Sequence, residues 1–129
     1  MNGKHKVLIV EDSSTVAKML ITQIQLELKF ETFWESSYAA AVQTITRENG
    51  DFLVALLDLR LPDAPNGEIV DYVQSKGIPI ILFTGDMSAD SRDLMWSKKI
   101  VDYIIKSGMP TLEYVNYMIR RIALNPGIK

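Results

Sequence analysis

Phe52-Leu53-Val54-Ala55-Leu56-Leu57-Asp58 decides the fold. Its apolar residues run without alternation, the pattern of a strand covered on both faces, and the run stops on a carboxylate. Upstream, Val7-Leu8-Ile9-Val10 has the same β-rich character and also stops on acid, at Glu11-Asp12. Downstream, Ile78-Pro79-Ile80-Ile81-Leu82-Phe83 stops at Thr84, and Tyr103-Ile104-Ile105 stops at Lys106. Pro79 lacks a ladder donor and belongs near the start of its strand. Phe30 to Trp34 alternates and reads as one further, half-buried strand.

Helical signals fill the gaps. Ser13 or Ser14 can cap a helix whose face carries Val16, Leu20 and Ile24, with Ala17, Ile21 and Leu28 beside it. Ser36 or Ser37 can cap a second, running to about Glu48 before the Asn49-Gly50 stop. A loop with Pro62, Pro65 and Asn66-Gly67 leads to a third, about Glu68 to Lys76. Ser88 can cap a fourth, to about Lys99. Pro110 suits the first turn of a fifth, with Leu112, Val115, Ile119 and Ile122 as its buried stripe and an end near Leu124. Strand and helix thus alternate five times. The expected class is α/β: a five-stranded parallel sheet with helices on both faces. Right-handed crossovers leave few strand orders, and the flavodoxin-like 2-1-3-4-5 leads. Its ligand crevice lies beyond the carboxyl ends of the first and third strands.

Composition removes most other chemistries. The 129 residues suit one domain, and the hydrophobic fraction of 47% rules out a disordered chain. A net charge of −2 argues against binding nucleic acid directly. No apolar run approaches a membrane span, and Val7–Val10 is too short for a signal-peptide core. With no cysteine, thiolate metal sites and cysteine nucleophiles are excluded. A single histidine, His5, reads as a solvated residue ahead of the first strand. The balance fits a cytoplasmic domain.

In the expected order, Glu11, Asp12 and Asp58 share one crevice. Three like charges repel there, and a hard cation such as Mg²⁺ or Mn²⁺ resolves the conflict through oxygen ligands. The bland alternative is that these acids only cap helices. Thr84 could simply open a turn before Gly85, and Lys106 could be solvated or paired with an acid. Together the four strand ends supply an acid pair, an acid, a hydroxyl and a cation. That is a full kit for a carboxylate nucleophile in phosphoryl transfer: Asp58 attacks phosphorus, metal and Lys106 neutralise charge, and Thr84 bonds a phosphoryl oxygen.

With these residues in place, the sequence resembles the receiver domain of two-component response regulators over nearly its whole length. The segments that carry the resemblance are Val7–Ser13, Leu56–Pro62, Phe83-Thr84-Gly85 and Asp102–Lys106. It implies that Asp58 is the phosphoacceptor, with Glu11, Asp12, Asp58 and the backbone carbonyl of Arg60 around the metal. It implies Thr84 and Tyr103 as a switch pair, Lys106 as the phosphate-binding lysine, and Arg60 with Asp86 as the pair that tunes dephosphorylation. A sensor histidine kinase or phosphotransfer protein would be the donor. The surface of the fourth helix, fifth strand and fifth helix would carry the signal, with dimerisation on phosphorylation as one outcome. Such a domain is a phosphoacceptor, not a turnover enzyme. Three positions depart from the common pattern: Glu11 stands where many receivers have Asp, Gly85 where Ala is frequent, and Ser107 where Pro often follows the lysine. The last leaves open whether the Lys106-Ser107 peptide is cis.

Rival readings are weaker. A mononucleotide binder wants a neutral or glycine-rich first loop, and here that loop begins with two acids. A phosphatase of the aspartate type wants a second acid where Arg60 stands. A scaffold without chemistry would not need Asp58, Thr84 and Lys106. Trp34 reads as packed; Trp96, Tyr114 and Tyr117 fall on the last two helices, where burial and partner contact are both open. Residues 1–124 are expected to form the receiver, and 125–129 to start a linker to a downstream output domain. Leu61–Glu68, together with Arg120, Arg121, Asn125, Ile128 and Lys129, resembles the first receiver of regulators with tandem receivers and a diguanylate cyclase output.

Overall fold

The computed structural model describes residues 5–85, 100, 102–105 and 109–124. Their order is β1 (Lys6–Val10), α1 (Ser14–Leu28), β2 (Glu31–Glu35), α2 (Tyr38–Arg47), β3 (Val54–Leu57), α3 (Glu68–Ser75), β4 (Ile80–Thr84), β5 (Asp102–Ile105) and a last helix, α4 (Met109–Leu124). The strands pair in the order β2-β1-β3-β4-β5, every pair parallel. This is the α/β class with a parallel sheet that the unalternated runs imply. The helix expected over 88–99 lies outside the described residues.

Side chains that alternate along each strand divide the core in two. Leu8, Val10, Ala55, Leu57, Ile80 and Leu82 face one way and meet Ala41 and Ile45 of α2 and Ile69, Val70 and Val73 of α3. Val7, Ile9, Val54, Leu56, Ile81 and Phe83 face the other way. They meet Leu20 and Ile24 of α1 and Leu112, Val115, Ile119 and Ile122 of α4. Each fully buried aliphatic side chain of this kind contributes about 1.5–3 kcal/mol. The predicted stripe of the last helix is therefore the one that packs. Its Tyr114 and Tyr117 do not: they are exposed, ring against ring at 6.1 Å.

Local chemistry sets the boundaries. Ser13 caps α1 by accepting from the Val16 N–H, and Ser37 caps α2 by accepting from the Ala40 N–H. Lys29 ends α1 in the left-handed region, where its N–H returns to the carbonyls of Ile24 and Gln25. Gly67, with φ of +75°, turns the chain into α3, a backbone state that favours glycine. Pro79 stands just ahead of β4, and only its carbonyl joins the ladder, accepting from the Ala55 N–H. β3 is shorter than its apolar run because Phe52 is held in a turn by the Gly50 carbonyl. His5 is exposed and edges against Phe30. Among the described residues, no helix is long and apolar enough to cross a membrane.

Candidate phosphoacceptor site

The register brings the acids together. β1 and β3 are neighbours in which Val10 stands opposite Leu57. Glu11 and Asp58 each follow directly, and the Asp58 N–H donates to the Val10 carbonyl at 2.9 Å. One carboxylate oxygen from each of Glu11, Asp12 and Asp58 lies within 4.8 Å of the other two. Glu11 is 2% exposed and Asp58 7%, whereas Asp12 is exposed. Two carboxylates inside the protein edge and one at its mouth form a cluster of hard oxygen donors, which suits Mg²⁺ or Mn²⁺.

Neighbouring groups fix this arrangement. One Glu11 carboxylate oxygen accepts from the Ser13 N–H at 3.0 Å, so Glu11 also serves the helix start, as the capping alternative requires. The Glu11 N–H donates to the Glu35 carbonyl at 3.0 Å, and the Glu11 carbonyl accepts from the Trp34 indole at 2.8 Å. Asp58 accepts from the Arg60 N–H at 3.4 Å. Beyond Arg60, Leu61 and Ala64 bridge to each other, and Gly67 donates back to Leu59. Asp63, in the same loop, reaches across to α2 and accepts from the N–H groups of Tyr38 at 2.9 Å and Ala39 at 3.0 Å. Those bonds, the one from Ala39 foremost, hold the Asp63 carboxyl below the usual carboxylate range.

Glu11, Asp12 and Asp58 thus meet as the strand ends imply, with the Arg60 backbone beside them. Thr84 closes β4, opposite Ile105, and Tyr103 lies in β5, opposite Leu82. The backbones of the expected switch pair are therefore on adjacent strands. Lys106, Asp86 and the Lys106-Ser107 peptide fall outside the described residues, as do Trp96 and 125–129. Two contacts around the site have no counterpart in the sequence pattern. The Trp34–Glu11 bond carries only a faint signal, an aromatic on the strand next to the first acid pair. The Asp63 cap carries none, because no spacing rule joins residues so far apart in the chain.

A family model for the response regulator receiver domain matches residues 7–113. Among solved structures, a two-component response regulator/GGDEF domain protein is 36% identical, with a TM-score of 0.81 over 95% of this chain and 48% of its own. A second protein of that description is 35% identical, also at a TM-score of 0.81, over 95% of this chain and 49% of its own. This chain therefore spans about half the length of both. A CheY-like receiver domain from Methanospirillum hungatei JF-1 shares the fold at a TM-score of 0.80, with 22% identity over 95% of this chain and 99% of its own. No curated protein matches the chain.

Proposed function

The chain belongs to the response regulator receiver domain family, and from that premise we propose that it takes a phosphoryl group onto Asp58 and passes the change on as an altered surface. The meeting of Glu11, Asp12 and Asp58 within 4.8 Å carries this reading. Those carboxylates and the Arg60 carbonyl would hold a Mg²⁺ or Mn²⁺ ion, which when bound would neutralise the crowded charge and offset that of an incoming phosphoryl group.

An Asp58 carboxylate oxygen attacks phosphorus. The new O–P bond forms as the bond to the donor breaks, and the leaving group of a histidine kinase or phosphotransfer protein departs with its electron pair. Lys106 neutralises a phosphoryl oxygen, and the Thr84 hydroxyl donates to another. As Thr84 moves in, the Tyr103 ring takes the space it leaves, which reshapes the surface around β5 and α4. The placement of Thr84 and Tyr103 on paired strands supports this coupling. Arg60 and Asp86, of opposite charge, close over the phosphoryl group and set its lifetime. The domain acts as a phosphoacceptor in the cytoplasm.

The test is labelling with a small-molecule phosphodonor and Mg²⁺, read by intact mass. The native chain gains one phosphoryl group, and Asp58→Asn gains none. Equal labelling of Asp58→Asn would refute the assignment. The likeness to response regulator/GGDEF proteins of twice its span supports a further reading, in which this receiver controls a diguanylate cyclase output in a longer parent. The coding sequence after Lys129 decides that: a stop codon there ends it.

A further inference from the structure

We propose that Trp34 is a positioning residue of the acidic site: through its indole N–H it fixes the Glu11–Asp12 peptide and so aims the Asp12 carboxylate at the metal. The inference rests on the reading of that cluster as a Mg²⁺ site.

The argument begins with burial. Glu11 and Asp58 are enclosed, so packing and hydrogen bonds around them limit where their carboxylates go. Asp12 is exposed. Its backbone therefore sets the Cα–Cβ direction from which the carboxylate reaches the cluster. The N–H of Asp12 and the carbonyl of Glu11 belong to one rigid peptide plane. Trp34 donates to that carbonyl at 2.8 Å, while the Glu11 N–H is held by the Glu35 carbonyl at 3.0 Å. β2 thus grips the residue before Asp12 at both of its main-chain polar groups. The grip is itself anchored. Trp34 packs against the core that includes Ile9, Leu20 and Ile24, and the Glu35 carboxylate accepts from the Thr44 hydroxyl of α2. Groups that orient a ligand from outside the coordination shell commonly decide metal affinity.

Trp34→Phe keeps most of the ring and deletes the donor. Ile24→Val loosens the same core and makes no bond to the site. Mg²⁺ alone is titrated into the full chain by calorimetry. Trp34→Phe should weaken binding about five- to tenfold, as expected for one lost neutral hydrogen bond outside the coordination shell. Ile24→Val should bind as the native chain does. In a Trp96→Phe background the single indole N–H resonance belongs to Trp34, and it should shift with Mg²⁺ at the calorimetric midpoint. That measurement decides the matter even where Trp34→Phe does not fold. Native-like affinity in Trp34→Phe, an equal loss in Ile24→Val, or an indole resonance indifferent to bound Mg²⁺ would overturn the inference. A native chain that binds no Mg²⁺ would overturn the metal reading beneath it as well.

Discussion

Asp12→Asn separates the folding role of the acidic cluster from its metal role. Asp12 lies within 4.8 Å of two other carboxylates. At that distance, with the dielectric of water appropriate to an exposed side chain, each repulsion is about 0.9 kcal/mol, and physiological salt removes roughly half of it. Neutralising Asp12 therefore relieves about 1 kcal/mol in total. The same charge sits one residue before Ser13, the cap of α1, where a negative group beside the helix N-terminus contributes about 0.3–1 kcal/mol. The two effects nearly cancel, so the metal-free stability of Asp12→Asn should lie within about 1 kcal/mol of native. Mg²⁺ tells the proteins apart. A site stripped of one of its three carboxylates should lose at least tenfold in affinity, about 1.4 kcal/mol. At saturating metal that loss appears in full as a smaller gain in unfolding free energy. Urea unfolding of both proteins, with chelator and with saturating Mg²⁺, gives the two increments. Helix and cap terms drop out, because each protein is compared with itself. Equal increments would refute a place for Asp12 in the site. A loss of more than about 2 kcal/mol in chelator would refute the treatment of Asp12 as an exposed, water-screened charge.

Three further outcomes are expected. The Asp63 carboxyl is held below its ordinary pKa in the fold, so its contribution is complete above the unfolded value and fades as pH falls through the folded one; acid unfolding of Asp63→Asn should be less steep, and an unchanged acid limb would remove the cap from the account. Ile119→Ala, at a fully buried position between α4 and the sheet, should cost about 2–5 kcal/mol in urea unfolding, and a cost under about 1 kcal/mol would mean that α4 does not complete the core. Lys29→Gly, at φ of +58°, should raise the thermal midpoint by removing about 0.5–1 kcal/mol of left-handed strain, and a lower midpoint would show that the side chain matters more than the backbone there.

The parts of this molecule legible in its sequence are those with a period. An unalternated run such as Val54–Leu57 has to be covered twice, and it is. The stripe at 112, 115, 119 and 122 has to meet the sheet, and it does. Because parallel strands end on one edge, the pattern alone assigns the residues after Val10 and Leu57 to one crevice. Contacts made by single side chains across the fold were not legible. Trp34 reads only as one of two adjacent aromatics in β2, and its choice of the Glu11 carbonyl depends on a register set by pairing. Asn116 falls in the last helix with nothing to mark it, yet it is 2% exposed and donates to the Gln23 carbonyl of α1. Tyr114 and Tyr117 carry the composition of buried residues but lie off the packing stripe, so they stay outside.

The Asp63 bridge bears on any attempt to recombine this domain with its relatives. A helix exchanged as a module normally brings its own cap. Here part of the cap for α2 is encoded 24–25 positions later, in the loop that leaves Asp58. A transplanted second helix would arrive with two orphan donors unless the recipient supplies an acid at the equivalent loop position. Crossover points for hybrid proteins therefore belong before Ser37 or after Asp63, and a cut between them parts a lock from its key.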